Sequence, residues 1–257
     1  MILTLQRNNL FHNPVSGLWT PALISTELWL DASDASTITE TGGSVSQWDD
    51  KSGNGKNLIQ SNGAWQPTYD SVNKKVINNG NRFMSVDLTI PMSGNISVFS
   101  VVKVDTVTSN YNSIFAMNAT PDFDFQLDAN NTSQFNGRIN VSGIGLSVAL
   151  TGGPFMDESI YNVVFDYDSG FYTAFVNGTK RADNTAYTTK LGTSQNFRIF
   201  TNRSISNYII GKISEIILIE NCSDNCRQIV ESYLAWKWGT ASSLPINHPY
   251  KFFPPRV

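Results

Sequence analysis

Tyr161-Asn-Val-Val-Phe-Asp-Tyr167, Asp168-Ser-Gly170, Phe171-Tyr-Thr-Ala-Phe-Val176 and Asn177-Gly178 follow one another without interruption, and their reading sets the fold. Two runs rich in β-branched and aromatic residues flank three turn formers, which is the pattern of a hairpin. Asn177-Gly178 then supplies a second turn, with both residues suited to positive φ. Outward from this unit the same grammar repeats. Ile96 to Val104 is nearly continuous in Val and Phe, as in a strand buried on both faces. Asp122-Phe-Asp-Phe-Gln-Leu-Asp128 alternates, which predicts Phe123, Phe125 and Leu127 toward a core and Asp122, Asp124, Gln126 and Asp128 toward water. Asn196 to Thr201 and Ile209 to Glu220 add further strands. Short strands punctuated by Gly, Asn and Asp turns indicate an all-β sandwich or barrel.

One helix interrupts the pattern, at about 223–238. Ser223 suits its N-cap, Asp224 its positive end, and Gly239 a left-handed close. Ile229, Val230, Tyr233, Leu234 and Trp236 recur at helical spacing and are expected to pack on the sandwich. Cys222 and Cys226 are four apart, which on a helix puts them on one face. A disulfide there closes only a tiny loop, so two free, partly buried thiols are expected.

The chain has 257 residues, 40% of them hydrophobic and 15% charged, with a net charge of −3. Low charge with many aromatics is the reverse of the disordered signature. A slightly acidic chain lacks the clustered Lys/Arg that grips phosphates, so nucleic acid is not an expected partner. No stretch reaches the ~18 consecutive apolar residues of a membrane helix, so no membrane partner is expected either. Met1 to Trp19 carries Arg7, His12 and Pro14 and no continuous apolar run, unlike a secretory leader. Export by the usual secretory route is therefore not expected.

The body of the chain resembles the concanavalin A-like lectin/glucanase superfamily, in particular the laminin-G-like jelly-roll modules of bacterial surface proteins and phage virions. Its N-terminal signature is Trp19-Thr-Pro21, Leu28-Trp-Leu-Asp-Ala32, Trp48-Asp-Asp-Lys-Ser-Gly-Asn-Gly55 and Gln66-Pro-Thr-Tyr69. The C-terminal signature is Gly211-Lys-Ile-Ser-Glu-Ile216 and Tyr233-Leu-Ala-Trp-Lys-Trp-Gly239. The resemblance implies a jelly-roll β-sandwich over residues 19–240; outside it, the irregular residues 1–18 read as an N-terminal arm and the proline-rich 241–257 as an extended C-terminal tail. Trp29, Trp48 and Trp238 are expected to bury their rings where the terminal segments close over the sandwich. Asp49, Asp50 and Asn54 form either a plain turn or a calcium loop. The turn is preferred, and no metal or other cofactor is expected.

The hydrolases of that superfamily share a strand with alternating acids that includes a catalytic glutamate pair. Retaining glycosidases hold such carboxyls about 5–5.5 Å apart. Asp122-x-Asp124-x-x-x-Asp128 is the nearest counterpart and contains no glutamate, while Glu158, Glu215, Glu220 and Glu231 stand alone. Glu215, on an apolar strand, is expected to accept a hydrogen bond. Enzymatic activity is not expected.

Two functions fit. The first is a virion structural protein, a bacteriophage capsid decoration or tail-associated part, docking on other virion proteins through Leu10 and Phe11 of one arm and Tyr250, Phe252 and Phe253 of the other. The second is a carbohydrate-binding adhesin for host-surface glycans. Its site candidates are Trp65, Asn110 with Tyr111 and Asn112, and Asn130 with Asn131 in a polar loop.

Overall fold

A computed structural model describes residues 17–89, 94–119, 123–131, 134–141, 144–151, 156–185 and 194–257. The strands among them are β1 (Leu28–Asp31), β2 (Ile38–Thr41), β3 (Ser44–Trp48), β4 (Leu58–Ile59), β5 (Thr68–Asp70) and β6 (Lys75–Asn78). They continue as β7 (Met84–Thr89), β8 (Asn95–Thr106), β9 (Asn112–Ala119), β10 (Phe123–Asn131), β11 (Gln134–Val141) and β12 (Ile144–Ala149). The last are β13 (Ser159–Asp166), β14 (Phe171–Val176), β15 (Thr179–Thr185), β16 (Ser194–Ile199) and β17 (Ile210–Glu220), followed by helix α1 (Asp224–Lys237).

All pairings between these strands are antiparallel, and they make two layers. The back sheet runs β1, β17, β8, β13, β14, β15. The front sheet runs β4, β7, β16, β9, β10, β11, β12. Strands β3, β5 and β6 bridge the two at one edge. Aromatic contacts tie the layers together: Phe125 of the front meets Phe165 and Tyr172 of the back, with ring centroids 6.1 and 6.0 Å apart, and Phe135 stacks on Tyr161 at 5.8 Å. The jelly-roll sandwich expected from the sequence is thus present.

Strand β8 explains its own composition. Val98, Val102 and Val104 enter the core between the sheets, while Phe99 and Val101 enter a second core under α1. In α1, Ser223 caps as expected, its hydroxyl accepting from the Cys226 N–H, and Gly239 adopts φ 74°. Val230 and Leu234 are fully buried, each contributing roughly 1.5–3 kcal/mol. Trp236, however, is 39% exposed: it lines a surface groove with Pro254 and Pro255, its indole N–H donating to the Tyr250 carbonyl. The Asn177-Gly178 turn has φ 49° and 75°, as its sequence predicts.

Four further expectations change. Gln126 and Asp128 are buried, not solvated: they lie on the outer face of β10, where side chains from neighbouring strands close over them. Cys222 and Cys226 form a disulfide rather than free thiols, because Cys222 precedes the cap and only Cys226 sits on the helix, leaving 5.4 Å between Cα atoms. Asn130 and Asn131 lie at the end of strand β10, not in a loop. The C-terminal tail is not extended. It wraps over the end of α1, with Leu244 and His248 buried, His248 Nε2 3.5 Å from Glu231 and Lys251 bonding the Ala241, Ser242 and Leu244 carbonyls. It then pairs with the N-terminal side of the domain through a Leu18–Arg256 bridge and a Trp19 N–H to Pro255 carbonyl bond. Leu10 and Phe11 lie outside the described residues.

Candidate functional site

The two sheets differ in what covers them. The outer face of the back sheet is roofed by α1, whereas the outer face of the front sheet carries polar side chains. Cross-strand register sets one row there: Arg138 (β11), Gln126 (β10), Ala116 (β9), Arg198 (β16) and Ser85 (β7). A neighbouring row holds Asn118, Asn196 and Asp87, with the Asn196 amide donating to Asp87 at 2.7 Å. Gln126 Nε2 donates to Asp128 at 3.0 Å, and the Ser113 hydroxyl donates to the same carboxylate. Gln126 Oε1, although buried, has no hydrogen-bond partner among the described residues.

A loop at one end of this face presents an aromatic ring. Asn112 is fully buried, and its Oδ1 accepts from the Thr108 and Ser109 N–H groups at 3.0 and 2.9 Å, while Nδ2 donates to the Tyr208 carbonyl at 2.7 Å. These bonds fold the loop so tightly that Tyr111 takes φ 65°, a conformation rare for a bulky residue. Tyr111 is left 41% exposed, with the Arg138 guanidinium 4.5 Å from its ring centroid. Beside it is a polar cleft of about 140 Å³ lined by Asn81, Thr108, Ser109, Ser206 and Tyr208. Trp65, 43% exposed, packs on Phe83 at 5.8 Å, and Phe83 lies 6.5 Å from Tyr208, so an aromatic line leads from Trp65 to the cleft.

The structure therefore gathers most of the expected residues. Asn112 pairs with Ala129, so Asn130 and Asn131 follow at the same end of the sheet. Asn110 is exposed next to Tyr111. Asn112 itself is consumed in holding the loop. Arg138, Gln126 and Tyr208 lie among these residues and were not expected from the sequence, because strand register and the Asn112–Tyr208 hydrogen bond bring them there. Tyr250 is half-buried, while Phe252 and Phe253 are 62% and 76% exposed.

A second polar cluster is internal. Glu215 of β17, fully buried, accepts from Trp29 Nε1 at 2.8 Å, Tyr233 Oη at 3.0 Å, Trp238 Nε1 at 2.7 Å and Lys237 Nζ at 2.7 Å. Asp31 of β1 meets the same Lys237 Nζ at 2.7 Å and Lys51 Nζ at 3.0 Å. Burial pushes the Glu215 pKa up, against the opposing attraction of Lys237. Burial also opposes ionisation of Asp31, yet Lys237, Ser33 and Lys51 together hold its pKa below the usual value. Glu215 is thus a hydrogen-bond acceptor, as its place on an apolar strand suggested. Trp29 and Trp238 close over this centre, whereas Trp48 is buried in the main core. The Asp50 carboxylate accepts from the Trp29, Ser52 and Lys56 N–H groups and the Ser52 hydroxyl, so this loop is a turn organised by its own acid.

An apolar groove of about 330 Å³ lies where the termini meet, lined by Leu18, Trp19, Tyr233, Trp236, Pro254 and Pro255.

The profile of one family, described as the concanavalin A-like lectin/glucanases superfamily, matches residues 78–221. No curated protein sequence matches. Among solved structures, sialidase from Trypanosoma rangeli in complex with sialic acid aligns at TM-score 0.58 and 12% identity, over 88% of this chain and 36% of the sialidase. The binding domain of botulinum neurotoxin serotype D aligns at 0.56 and 12%, over 80% of this chain and 50% of that one. Domain 4 of an extracellular arabinanase from Geobacillus stearothermophilus, in complex with arabinotriose, aligns at 0.54 and 15%, over 76% of this chain and 92% of the domain. At these identities the likeness is one of fold.

Proposed function

We propose, on the premise that this chain belongs to the concanavalin A-like lectin/glucanase superfamily, that it is a non-catalytic carbohydrate-binding domain whose ligand lies on the outer face of the front sheet beside Tyr111. The observation that carries this reading is Tyr111 itself. Its ring is held out by a loop whose polar groups are spent on fixing it, with the Arg138 guanidinium against it and a polar cleft beside it. A sugar presents apolar C–H faces to a ring and hydroxyls to amides and guanidinium groups, so this pairing of chemistries suits it. The fold does not choose a ligand. The arabinanase domain solved with arabinotriose is a precedent on this fold for the ligand class. Asp87 and Asp128, the described carboxylates of this face, each accept from a neighbouring side chain, an arrangement that orders the face and supports binding without cleavage. A glycan array read at millimolar sensitivity tests the reading. Binding that Tyr111→Ala abolishes is expected; silence across neutral and acidic polysaccharides overturns it.

A second reading, a phage virion component that docks on its particle, is favoured by Phe252 and Phe253, which are large, apolar and exposed. Its test is incorporation of a Phe252→Ser/Phe253→Ser variant into particles. Deleting the whole tail is unsuitable, since Leu244 and His248 are buried in the domain. Unchanged occupancy of the double variant removes this reading. The Cys222–Cys226 disulfide accords with an oxidising environment under either.

A further inference from the structure

Lys237, Asp31 and Glu215 form a grouping that the ligand face does not use. Lys237 Nζ is 2.7 Å from Asp31 Oδ1 and 2.7 Å from Glu215 Oε2. Both carboxyl groups are buried, and Trp29, Tyr233 and Trp238 donate to that of Glu215. An amine, a carboxyl carbon and a second carboxyl group are thereby held together in a site from which water is largely excluded. Those are the parts needed to make an amide.

We propose that Lys237 and Asp31 condense into an intramolecular isopeptide bond, with Glu215 as the proton carrier. Glu215 takes one proton from the Lys237 ammonium and Lys51 lends one to Asp31 Oδ2, so the neutral amine attacks the protonated carboxyl at Cγ; the new C–N bond forms, the Cγ–Oδ2 bond breaks, and one water leaves. An ammonium and a carboxylate contain between them every atom of the amide and the water, so no oxidant, reductant or activating group is required. Two protons pass from nitrogen to the departing oxygen. Glu215, touching Nζ, and Lys51, 3.0 Å from Oδ2, carry them and finish as they began. Asp31 Oδ1 stays behind, held by the Ser33 N–H at 3.0 Å and the Ser33 hydroxyl at 2.6 Å, which steady the negative charge it gains during attack. Fixed proximity supplies the drive, since reacting groups locked in contact reach effective molarities of ~10⁵ M or more. Charge stays balanced after the reaction, because Lys51 and Glu215 remain as cation and anion. Burial raises the Glu215 pKa, which suits a group that must hold a proton briefly. The link joins β1 to the last turn of α1, fastening the N-terminal signature to the C-terminal one.

Intact-mass spectrometry of the folded full chain, after reduction of the disulfide, tests the proposal. The expected mass is below the sequence mass by one water, and proteolysis yields a branched peptide joining the Asp31 and Lys237 segments. Lys237→Arg keeps the charge without the nucleophile and is expected at full sequence mass, as is Glu215→Gln. Wild-type protein at full sequence mass after prolonged incubation in the folded state overturns the proposal, as does a water loss that persists in Lys237→Arg.

Discussion

Replacing Glu215 with alanine probes the joint that fastens both ends of the domain to the back sheet. Each oxygen of the carboxylate has two donors: Trp29 Nε1 and Tyr233 Oη on Oε1, Trp238 Nε1 and Lys237 Nζ on Oε2. A hydrogen bond to a charged group contributes about 1.5–3 kcal/mol net. Trp29 is buried and has nowhere to turn, so it loses that full amount. Tyr233 and Trp238 are half-buried and regain part of theirs from water, at a cost of about 1 kcal/mol each. Lys237 retains Asp31. Relief of the desolvated carboxylate offsets some of the loss, and the net cost is about 4 kcal/mol. For a domain of this size that lowers Tm by roughly 8–16 °C. Glu215→Gln keeps the volume, but its NH₂ must face two donors whichever way it turns, so it loses about half as much. Urea unfolding of Glu215→Ala, Trp238→Phe and the double variant measures the coupling, expected at about 1–2 kcal/mol. A loss below about 1 kcal/mol for Glu215→Ala, or additive single variants, refutes the view that this residue joins the signatures.

Other consequences follow from single residues. Burial and the nearby Glu27 raise the Glu220 pKa from 4.5 to about 6, so the folded chain binds a proton more tightly than the unfolded one and wild-type stability rises as pH falls through that window. Glu220→Gln is therefore expected to gain up to about 1 kcal/mol at pH 7, an amount discounted for solvent screening, with the advantage vanishing below pH 4.5 in thermal melts. A Cβ on Gly137 meets the buried Tyr172 ring, so Gly137→Ala is expected to lose about 1–3 kcal/mol in a denaturant titration, while Gly63→Ala, with open space around it, changes little. Reducing the Cys222–Cys226 disulfide releases a loop of sequence separation 4 and is expected to cost about 2 kcal/mol, read as a matching fall in unfolding midpoint under reductant.

Much of the fold was legible because local chemistry fixed it. The Asn177-Gly178 turn, the Ser223 cap and the apolar run of β8 each need only neighbours in sequence to be understood. What escaped depended on distant partners. Alternation in β10 separates two faces correctly, yet it cannot tell a solvated face from one closed over by Ser113 and Gln126 around Asp128. Trp236 lies on the helical stripe but faces the groove between the termini. The burial of His248 beside Glu231, with Nε2 3.5 Å from that carboxylate, brings the tail and α1 together through residues with no shared local pattern. Tyr111, Trp65 and Asn130 could be chosen singly as polar or aromatic loop candidates. The convergence of Tyr111 and Asn130, and the addition of Arg138, came from the β9–β10–β11 register, while Trp65 connects through Phe83 to Tyr208.

The claim that a glycan lies on the front sheet is tested most directly by chemical-shift mapping of isotope-labelled protein titrated with the best oligosaccharide from the array. Perturbed resonances are expected to group on residues 108–118 and around Gln126, Arg138 and Tyr208, with the Arg138→Ala variant bound at least about tenfold more weakly, near 1.4 kcal/mol. Perturbations confined to α1, the groove between the termini or the Phe252–Phe253 surface contradict it.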